Sequence, residues 1–358
     1  MNEDCLKLTT YFGERHRTDE AFVADALLDL YGRTAVQVSV LLRGAAGFGA
    51  RHHLRTDQLL TLSEDLPLVS VAVDRRERIE TILPEVQAIK RHGLITLERA
   101  RMLTGNVHPV ALPQQLNEAT KLTVYVGRQE QVYGVPAYQA ICDLLYRRGV
   151  AGATVLLGVD GTAHGTRERA RFFGRNADVP LMIIAVGDGE PIAGVLPELA
   201  GLLHRPLLTL ERITVCKRDG ELLARPAELP DTDDAGLRLW QKLMIYSSEQ
   251  AKVDGRPQHA TLLHSLRASG ARGATVLRGV WGFHGDHAPH GDRLLQLRRR
   301  VPVVTVVIDR AEEIQRSFDL IDELTRERGL VTSEMVPALE ALTPAGRRGG
   351  LRLARRRP

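Results

Sequence analysis

Three short apolar stretches with one shared pattern decide the fold that the sequence predicts: LKLTTYF from Leu6, TKLTVYV from Thr120 and QKLMIYS from Gln241. Each has a lysine at its second position and a tyrosine four residues later. Because side chains alternate along a strand, the lysine and the tyrosine share one face and the intervening leucine takes the other. The leucine face is predicted to be core. A tyrosine on the opposite face of every copy predicts that this face is also covered, most simply by a neighbouring copy.

The same order of patterns follows each of these strands. An amphipathic stretch with apolar residues at helical spacing precedes a second strand rich in Val and Leu. A glycine-rich stretch of roughly twenty residues then leads to a third strand that opens with Pro67, Pro180 or Pro302. A second helix and a last strand complete each copy. The order predicts an α+β chain with a ferredoxin-like βαββαβ domain repeated three times.

The predicted repeats span residues 1–104, 119–217 and 237–340, separated by linkers that contain Pro, Asp and Gly. Residues 341–358 form an arginine-rich tail that is expected to be disordered, with anchoring to a nucleic acid or an anionic membrane as the alternative. Six arginines between Arg347 and Arg357 outweigh the formal net charge of +4. The remaining chain is close to neutral, so nucleic acid is not expected as a partner except through the tail.

Cysteine usage and hydropathy place the chain in the cytoplasm. Cys5, Cys142 and Cys216 lie far apart and form neither a zinc motif nor a disulfide framework, which favours a reducing compartment. No apolar run reaches the roughly 18 to 20 residues that span a bilayer, and the polar start of the chain does not have the pattern of a signal peptide.

Two of the copies resemble a known family. Copy one, LRGAAGFGARHHLRT followed by LSEDLPLVSVAVDRRERI, closely resembles the PII-like proteins of domain-of-unknown-function family one-ninety. Copy three, LRGVWGFHGDH through VPVVTVVIDRAEEI, resembles it well, whereas LLGVDGTAHG of copy two fits loosely. The resemblance implies domains similar to PII signalling proteins, which assemble as trimers and bind nucleotides in clefts between subunits. Three copies in one chain then imply a monomeric, intramolecular pseudo-trimer, with independent domains as the alternative.

The long stretch after the second strand is the candidate ligand site. Its glycines allow the backbone to approach an anion, and an arginine supplies the charge that a phosphate prefers. A purely structural glycine loop is the alternative. An adenine nucleotide is favoured as the ligand by resemblance only, and Leu157 replaces the arginine in copy two. The candidate residues are Arg43, Gly44, Gly47 and Gly49 in copy one, and Arg278, Gly279, Gly282 and Gly285 in copy three.

A second candidate site lies in the loop of copy three. His284, Asp286, His287 and His290 combine imidazole and carboxylate at short spacing, which suits a divalent metal such as zinc. A solvated loop without a metal is the alternative.

Acidic residues at the start of the second helix have a predicted structural role. Asp74 with Glu77, and Asp309 with Glu312, have the spacing of a capping box, so they are not interpreted as catalytic carboxylates.

The predicted function is therefore regulation and not catalysis. No nucleophile, base and orienting group recur together in two copies, so the chain is not expected to be an enzyme and no cofactor is certain. A small effector is expected to bind between repeats and to order loops that contact a protein partner such as a transporter or an enzyme. The alternative is a metal-binding or metal-tolerance protein that uses the loop of copy three.

Overall fold

The structure, a computed structural model, describes most of the chain. The described residues are 2–50, 52–57, 65–90, 93–105, 119–163, 166–169, 179–230, 232, 239–285, 288–291, 301–327, 329–343 and 346–349. Within them the chain forms 25 strands and six helices, and the strands of every ladder pair run antiparallel. We refer to residues 2–105, 119–218 and 239–336 as the first, second and third segments.

The first segment has two helices, and its strands fall at both ends and in the middle. Its elements are β1 Asn2–Gly13, α1 Val23–Arg33, β2 Val38–Arg43, β3 Ala46–Phe48, β4 Arg55–Thr56, β5 Pro67–Arg75, α2 Arg76–Ile89 and β6 Gly93–Thr104.

The second segment has a similar order of elements. Its second strand is longer and includes Gly158 and Gly161 of the glycine-rich stretch. Its elements are β7 Thr120–Gly127, β8 Gln131–Val132, β9 Val135–Pro136, α3 Ala137–Arg147, β10 Gly152–Ala163, β11 Thr166–Arg169, β12 Pro180–Gly187, α4 Gly189–Leu202, β13 Leu207–Arg212 and β14 Thr214–Arg218. The short strand β15, Glu221–Leu222, follows it.

The third segment and the residues after it complete the chain. Their elements are β16 Trp240–Ser248, β17 Lys252–Val253, β18 Arg256–Pro257, α5 Gln258–Ala268, β19 Ala274–Arg278, β20 Trp281–His284, β21 His290–Gly291, β22 Pro302–Arg310, α6 Ala311–Leu324, β23 Leu330–Val336, β24 Ala338–Thr343 and β25 Gly346–Gly349.

The predicted fold of three ferredoxin-like βαββαβ repeats arranged as a pseudo-trimer is wrong. The described strands do not form three self-contained four-stranded sheets. They join into a 13-stranded sheet and an eight-stranded sheet, and both of these contain strands from more than one segment. The physical reason is that edge strands, which expose unpaired backbone groups, pair across the segment boundaries: β2 with β10, β6 with β13, and β19 with β3.

Apolar side chains cover both faces of the first strand in each segment, as the sequence predicts. Leu8, Leu122 and Leu243 are each fully buried in separate clusters. Tyr125 and Tyr246, on the opposite faces, belong to a fourth cluster that draws residues from all three segments. The prediction that a neighbouring segment covers the tyrosine face is therefore confirmed.

The predicted capping boxes are wrong. Helix α2 begins at Arg76 and α6 at Ala311, and neither has a side-chain cap. The Asp74 carboxylate instead accepts hydrogen bonds from the backbone N–H groups of Gln37 and Arg75, at 2.9 and 2.7 Å. Asp309 accepts from Arg272 and Arg310 in the same way. Both acids have a structural role, but they fix the turn before the second strand.

Part of the arginine-rich tail lies in a hairpin and not in a disordered segment. Strand β24 pairs with β6 of the first segment, and β25 pairs with β24. Residues 351–358 lie outside the described residues. Within the part of the chain that the structure describes, no helix has both the length and the hydropathy to cross a bilayer.

Candidate ligand clefts

The three segments meet at a ring of six buried charges. Each lysine of the first-strand pattern lies directly across the ladder from a glutamate of the last strand of its own segment. Each lysine also contacts a glutamate of another segment. Around the ring, the nitrogen–oxygen distances are 2.9 Å for Lys7–Glu211, 2.7 Å for Glu211–Lys121, 2.6 Å for Lys121–Glu334, 2.7 Å for Glu334–Lys242, 2.7 Å for Lys242–Glu98 and 3.6 Å for Glu98–Lys7.

The alternation of acids and bases favours the ionised forms of Glu98 and Lys121. Burial alone would raise the pKa of Glu98, but the ammonium groups of Lys242, Lys7 and Lys121 outweigh it and hold this pKa well below its ordinary value. For Lys121, burial works to lower the pKa, and the surrounding carboxylates, Glu211 foremost, raise it well above the usual range. An ion pair withdrawn from water is tolerated only with such complete partnering.

The ring does not need a metal ion. Carboxylate oxygens of Glu98, Glu211 and Glu334 lie within 4.8 Å of one another, a spacing that suits a cation. Three lysine ammonium groups already balance the three carboxylates. Sequence reasoning identified the lysines but missed the glutamates. The available signal was a glutamate at the matched position of the strand after the second helix in all three copies.

The glycine-rich stretch after each second strand crosses to another segment. Strand β3 of the first segment pairs with β19 of the third, β20 of the third pairs with β10 of the second, and β10 pairs with β2 of the first. Backbone hydrogen bonds complete two of the crossings, Ala45 N–H to the Val276 carbonyl at 2.8 Å and Val280 N–H to the Val155 carbonyl at 2.9 Å.

The crossings explain the glycines. A Cβ on Gly47 would lie 2.8 Å from the Ala274 carbonyl oxygen, and one on Gly282 would lie 2.2 Å from that of Ala153. In the second segment, a Cβ on Gly161 would lie 2.2 Å from the Ser39 carbonyl oxygen. The backbone N–H groups of Gly44 and Gly279 donate to the carbonyls of Pro67 and Pro302. These amides are therefore committed to the fold.

In the first and third segments, the arginine that precedes the glycine run forms an ion pair with the glutamate that directly follows the first strand. Arg43 contacts Glu14 at 3.0 Å, and Arg278 contacts Glu249 at 3.0 Å and Asp57 at 2.8 Å. In the second segment both members change together, to Leu157 and Arg128. This paired change favours a structural role for the arginine. Its ligand role stays a prediction.

A cleft opens where the first and third segments meet, at the base of the glycine-rich crossing. We call it the basic cleft. Its volume is about 560 Å³, within the usual range for small-molecule sites. Its apolar wall includes Phe12, Val23, Phe48, Trp240 and Ile308, and its lining also contains the arginines Arg15, Arg17, Arg55 and Arg272 and the histidines His16 and His53. Of the predicted ligand residues, Gly47 and Gly49 line it, and none of the described lining residues is acidic.

Contacts outside the cavity hold several of these cations in place. Asp65 pairs with Arg55 at 2.8 Å and accepts a hydrogen bond from the backbone N–H of Arg15 at 2.7 Å. Buried Asp309 holds the Arg272 backbone and lies 3.4 Å from the Arg272 Nε. The Arg17 guanidinium lies 4.4 Å from the centre of the Phe22 ring. The arginines are therefore positioned before any ligand binds.

A second cleft occupies the equivalent position between the third and second segments. We call it the polar cleft. It has a volume of about 610 Å³. Its lining includes Tyr246, Ser247, Ser248, Gln250, Ala251, Gln258, His284, Gly285 and His290 of the third segment, Ala151 and Arg218 of the second, and Asp219, which directly follows the second segment. Gly285 is thus the one residue predicted for the third segment's anion site that lines a cleft.

Aligned on the repeated strands and helices, the two clefts keep the same residues at Tyr11 and Tyr246, at Gly93 and Gly329, and at Leu94 and Leu330, but they differ at six other matched positions. The polar cleft has Ser247 for Phe12, Ser248 for Gly13, Gln250 for Arg15, Ala251 for His16, Gln258 for Val23 and Ala151 for Arg272. Apolar and cationic groups are replaced by small or uncharged polar ones. The backbone frame is kept while the chemistry changes.

The predicted metal site is only partly described. His284 and His290 line the polar cleft, and a ring nitrogen of His290 lies 2.9 Å from the Ala288 carbonyl oxygen. Asp286 and His287 lie outside the described residues. Among the described residues, the three ring glutamates are the group with metal-ligand spacing, and the two histidines are not part of such a group.

Comparison with known proteins places the three segments in one family. The sequence profile described as "Uncharacterized ACR, COG1993" matches residues 5–102, 119–215 and 240–338. A UPF0166 protein of Aquifex aeolicus is 34% identical over 97 residues, which is 27% of this chain and 90% of the relative. A UPF0166 protein of Methanocaldococcus jannaschii is 28% identical over 89 residues, 25% of this chain and 82% of that protein. Each relative is therefore comparable in length to one segment.

Among solved structures, aspartate kinase from Synechocystis aligns with a TM-score of 0.24 and 11% identity. The alignment covers 95% of this chain and 46% of the kinase chain, so the chain spans about half the length of that protein. At this TM-score the likeness carries no weight for fold or function.

Proposed function

The chain belongs to the DUF190 family, and we propose that it is a regulatory protein that binds a small anionic effector in the basic cleft. The favoured ligand is an adenine nucleotide, which the PII-like sequence resemblance indicates. The observation that carries the proposal is the chemistry of the cleft, in which four arginines border an apolar wall that includes Phe12, Phe48 and Trp240. Guanidinium groups bind phosphate oxygens in pairs, and aromatic rings contact a planar base.

Regulation follows from where the cleft lies. A ligand there contacts the first and third segments at once, so its binding energy favours the arrangement in which they are held together. Residues 47–50 of the glycine-rich crossing, together with His53 and Arg55, form one wall. A ligand that orders this wall changes the surface that a protein partner contacts.

Binding without catalysis agrees with the state of the thiols. Burial raises the pKa of Cys5 and Cys142 well above that of a free thiol, and raises the pKa of Cys216 to about 12. All three thiols therefore stay protonated at neutral pH and are poor nucleophiles.

The test is calorimetric titration of the full chain with ATP, AMP and adenosine. We expect ATP to bind most tightly, since the cleft offers several cations to a polyphosphate. The double variant Arg15→Gln and Arg17→Gln removes two of these charges, each charge-assisted contact being worth about 1.5–3 kcal/mol, and so weakens ATP binding by well over tenfold.

The matched control is Arg33→Gln and Arg316→Gln, which removes two exposed arginines on helices remote from the cleft lining. We expect its ATP affinity to equal that of the unmodified chain. Equal weakening in both double variants, or no binding of any of the three compounds, would overturn the proposal.

A further inference from the structure

The polar cleft contains buried polar atoms that have no hydrogen-bond partner in the part of the chain that the structure describes. Gln258 is 4% exposed, and its Nε2 donates to the Leu324 carbonyl at 2.7 Å, but its Oε1 has no hydrogen-bond partner among the described residues. Ser247 is 7% exposed, and its Oγ is likewise unpartnered there. Both residues line the cavity. A buried acceptor without a donor is costly, so a ligand that supplies one gains binding energy.

A donor in the same cleft complements these acceptors. The guanidinium of Arg218 pairs with Asp188 at 3.2 Å through one of its terminal nitrogens, while its Nε has no described partner. The ligand therefore needs an acceptor as well as a donor.

The charges of the polar cleft argue against an anionic ligand. Its lining contains one arginine and one aspartate, Arg218 and Asp219, whereas four arginines and no acid line the described part of the basic cleft. Asp188 further neutralises Arg218. An anion entering this cleft would lose its hydration and gain no net positive potential.

We propose that the polar cleft is a second ligand site, for a small neutral molecule that carries a hydrogen-bond donor and acceptor side by side, as a carboxamide does. The N–H of such a group donates to Gln258 Oε1 and Ser247 Oγ, and its carbonyl accepts from Arg218 Nε. The chain then has two sites of different specificity on one backbone frame. This site does not depend on the identity of the ligand in the basic cleft.

Acetamide and acetate are the probes, because they have the same shape and differ in charge. Amide resonances of the isotope-labelled full chain are recorded by NMR during titration with each. We expect acetamide to shift the side-chain amide of Gln258 and the backbone amides of Gly285 and Gly329, which also line the cleft, and acetate to leave them unchanged.

Two variants decide whether the response belongs to this site. Ser247→Ala, which leaves the Gln258 contact to the helix end intact, should weaken the acetamide response severalfold, and Gln258→Leu should abolish the shifts of Gly285 and Gly329. Arg15→Gln in the basic cleft is the control, and it should change neither the strength of the acetamide response nor the shifts of Gly285 and Gly329. The proposal is wrong if acetamide shifts none of these resonances, if acetate shifts them equally, or if both variants respond like the unmodified chain.

Discussion

The basic and polar clefts share a backbone frame but have opposite chemistry. Both lie where a glycine-rich strand crosses to another segment, and both include the tyrosine end of a first strand, at Tyr11 or Tyr246. One has cations against an apolar wall and the other has uncharged polar groups. The repeated residues therefore form the crossings between segments and the charge ring. Many of the residues that line the two cavities differ although these shared features are kept.

Three copies in one chain make this divergence physically simple. In an assembly of identical chains, a substitution changes every equivalent cleft together. Here Arg15 and Gln250 occupy matched positions but are encoded separately. A substitution therefore changes the chemistry of one cleft and not that of the other, provided that the shared ring of charges keeps the segments joined.

The largest expected effect comes from breaking that shared ring. Lys121 pairs with Glu334 and so joins the second and third segments, which border the polar cleft, while Lys242 pairs with Glu98 and joins the third and first segments, which border the basic cleft. Lys121→Met and Lys242→Met each leave three buried carboxylates with two ammonium groups, and the uncompensated buried charge costs about 3–5 kcal/mol of unfolding free energy. Denaturant titration measures the loss.

The ring variants also show whether the two clefts share one support. Lys252→Met, at an exposed lysine outside the ring, is the control and should change the unfolding free energy by less than about 0.5 kcal/mol. Lys121→Met could weaken the acetamide response of the polar cleft and leave ATP affinity in the basic cleft unchanged. In that case the clefts are independent units, and the ring is not their shared support.

The next largest effect comes from placing basic-cleft residues at the matched positions of the polar cleft. Gln250→Arg with Ala251→His gives the polar cleft two residues of the basic cleft. We expect tripolyphosphate to bind there at least tenfold more tightly, since a charge-assisted hydrogen bond contributes about 1.5–3 kcal/mol. Calorimetry should show a second binding event per chain.

The control for this exchange is Gln129→Arg. Gln129 occupies the matched position in the second segment but is exposed and lies outside the linings of both clefts. It should add no binding event. An equal gain with Gln129→Arg would mean that net charge, and not the frame of the cleft, determines anion binding.

Much of the frame could be predicted from the sequence, because alternation along a strand depends on local geometry alone. The shared pattern at Lys7, Lys121 and Lys242 correctly predicted a first strand covered on both faces. The fold class was wrong because the same local patterns do not specify which edge strands pair. The pairing of β3 with β19 depends on a segment more than 200 residues away.

The cleft residues were harder to predict for the same reason. Arg15 and Trp240 come from different segments and meet only through the crossing. The sequence shows Gly44 and Gly47, but it does not show which carbonyl groups lie close to them. Without those positions, a glycine that allows close strand contact cannot be distinguished from one that binds an anion. One signal was available: the joint change of Arg43 with Glu14 to Leu157 with Arg128 indicates a structural pair.

A smaller effect is a pH dependence of stability that comes from His259 in the third segment. His259, next to Gln258 on α5, is buried, and the first segment has Ala24 at the matched position. Burial, assisted by Arg278 and opposed by Asp57, lowers the pKa of His259 below its ordinary value of 6.5. The unfolded chain therefore binds the proton more readily, so stability is lost as the pH falls below 6.5.

The comparison is between the unmodified chain and His259→Ala. Unfolding free energies at pH 7.5 and pH 5.5 give a slope for each, and we expect a shallower slope for the variant, whatever its absolute stability. Parallel slopes would show that His259 does not titrate differently in the folded and unfolded states. Working at pH 5.5 keeps Glu98 and Glu334 ionised, since the neighbouring lysines lower the pKa of both carboxyl groups below the ordinary value of 4.5.

The smallest expected effect decides the role of the arginine before the glycines. The side chains of Arg43 and Glu14 are 50% and 37% exposed, and an ion pair this exposed stabilises the fold by at most about 1 kcal/mol. Arg43 does not line the described part of the basic cleft. Arg43→Ala should therefore leave ATP affinity within a factor of two, in contrast to Arg15→Gln with Arg17→Gln. A tenfold loss of ATP affinity in Arg43→Ala would restore the sequence-based prediction that this arginine binds the ligand.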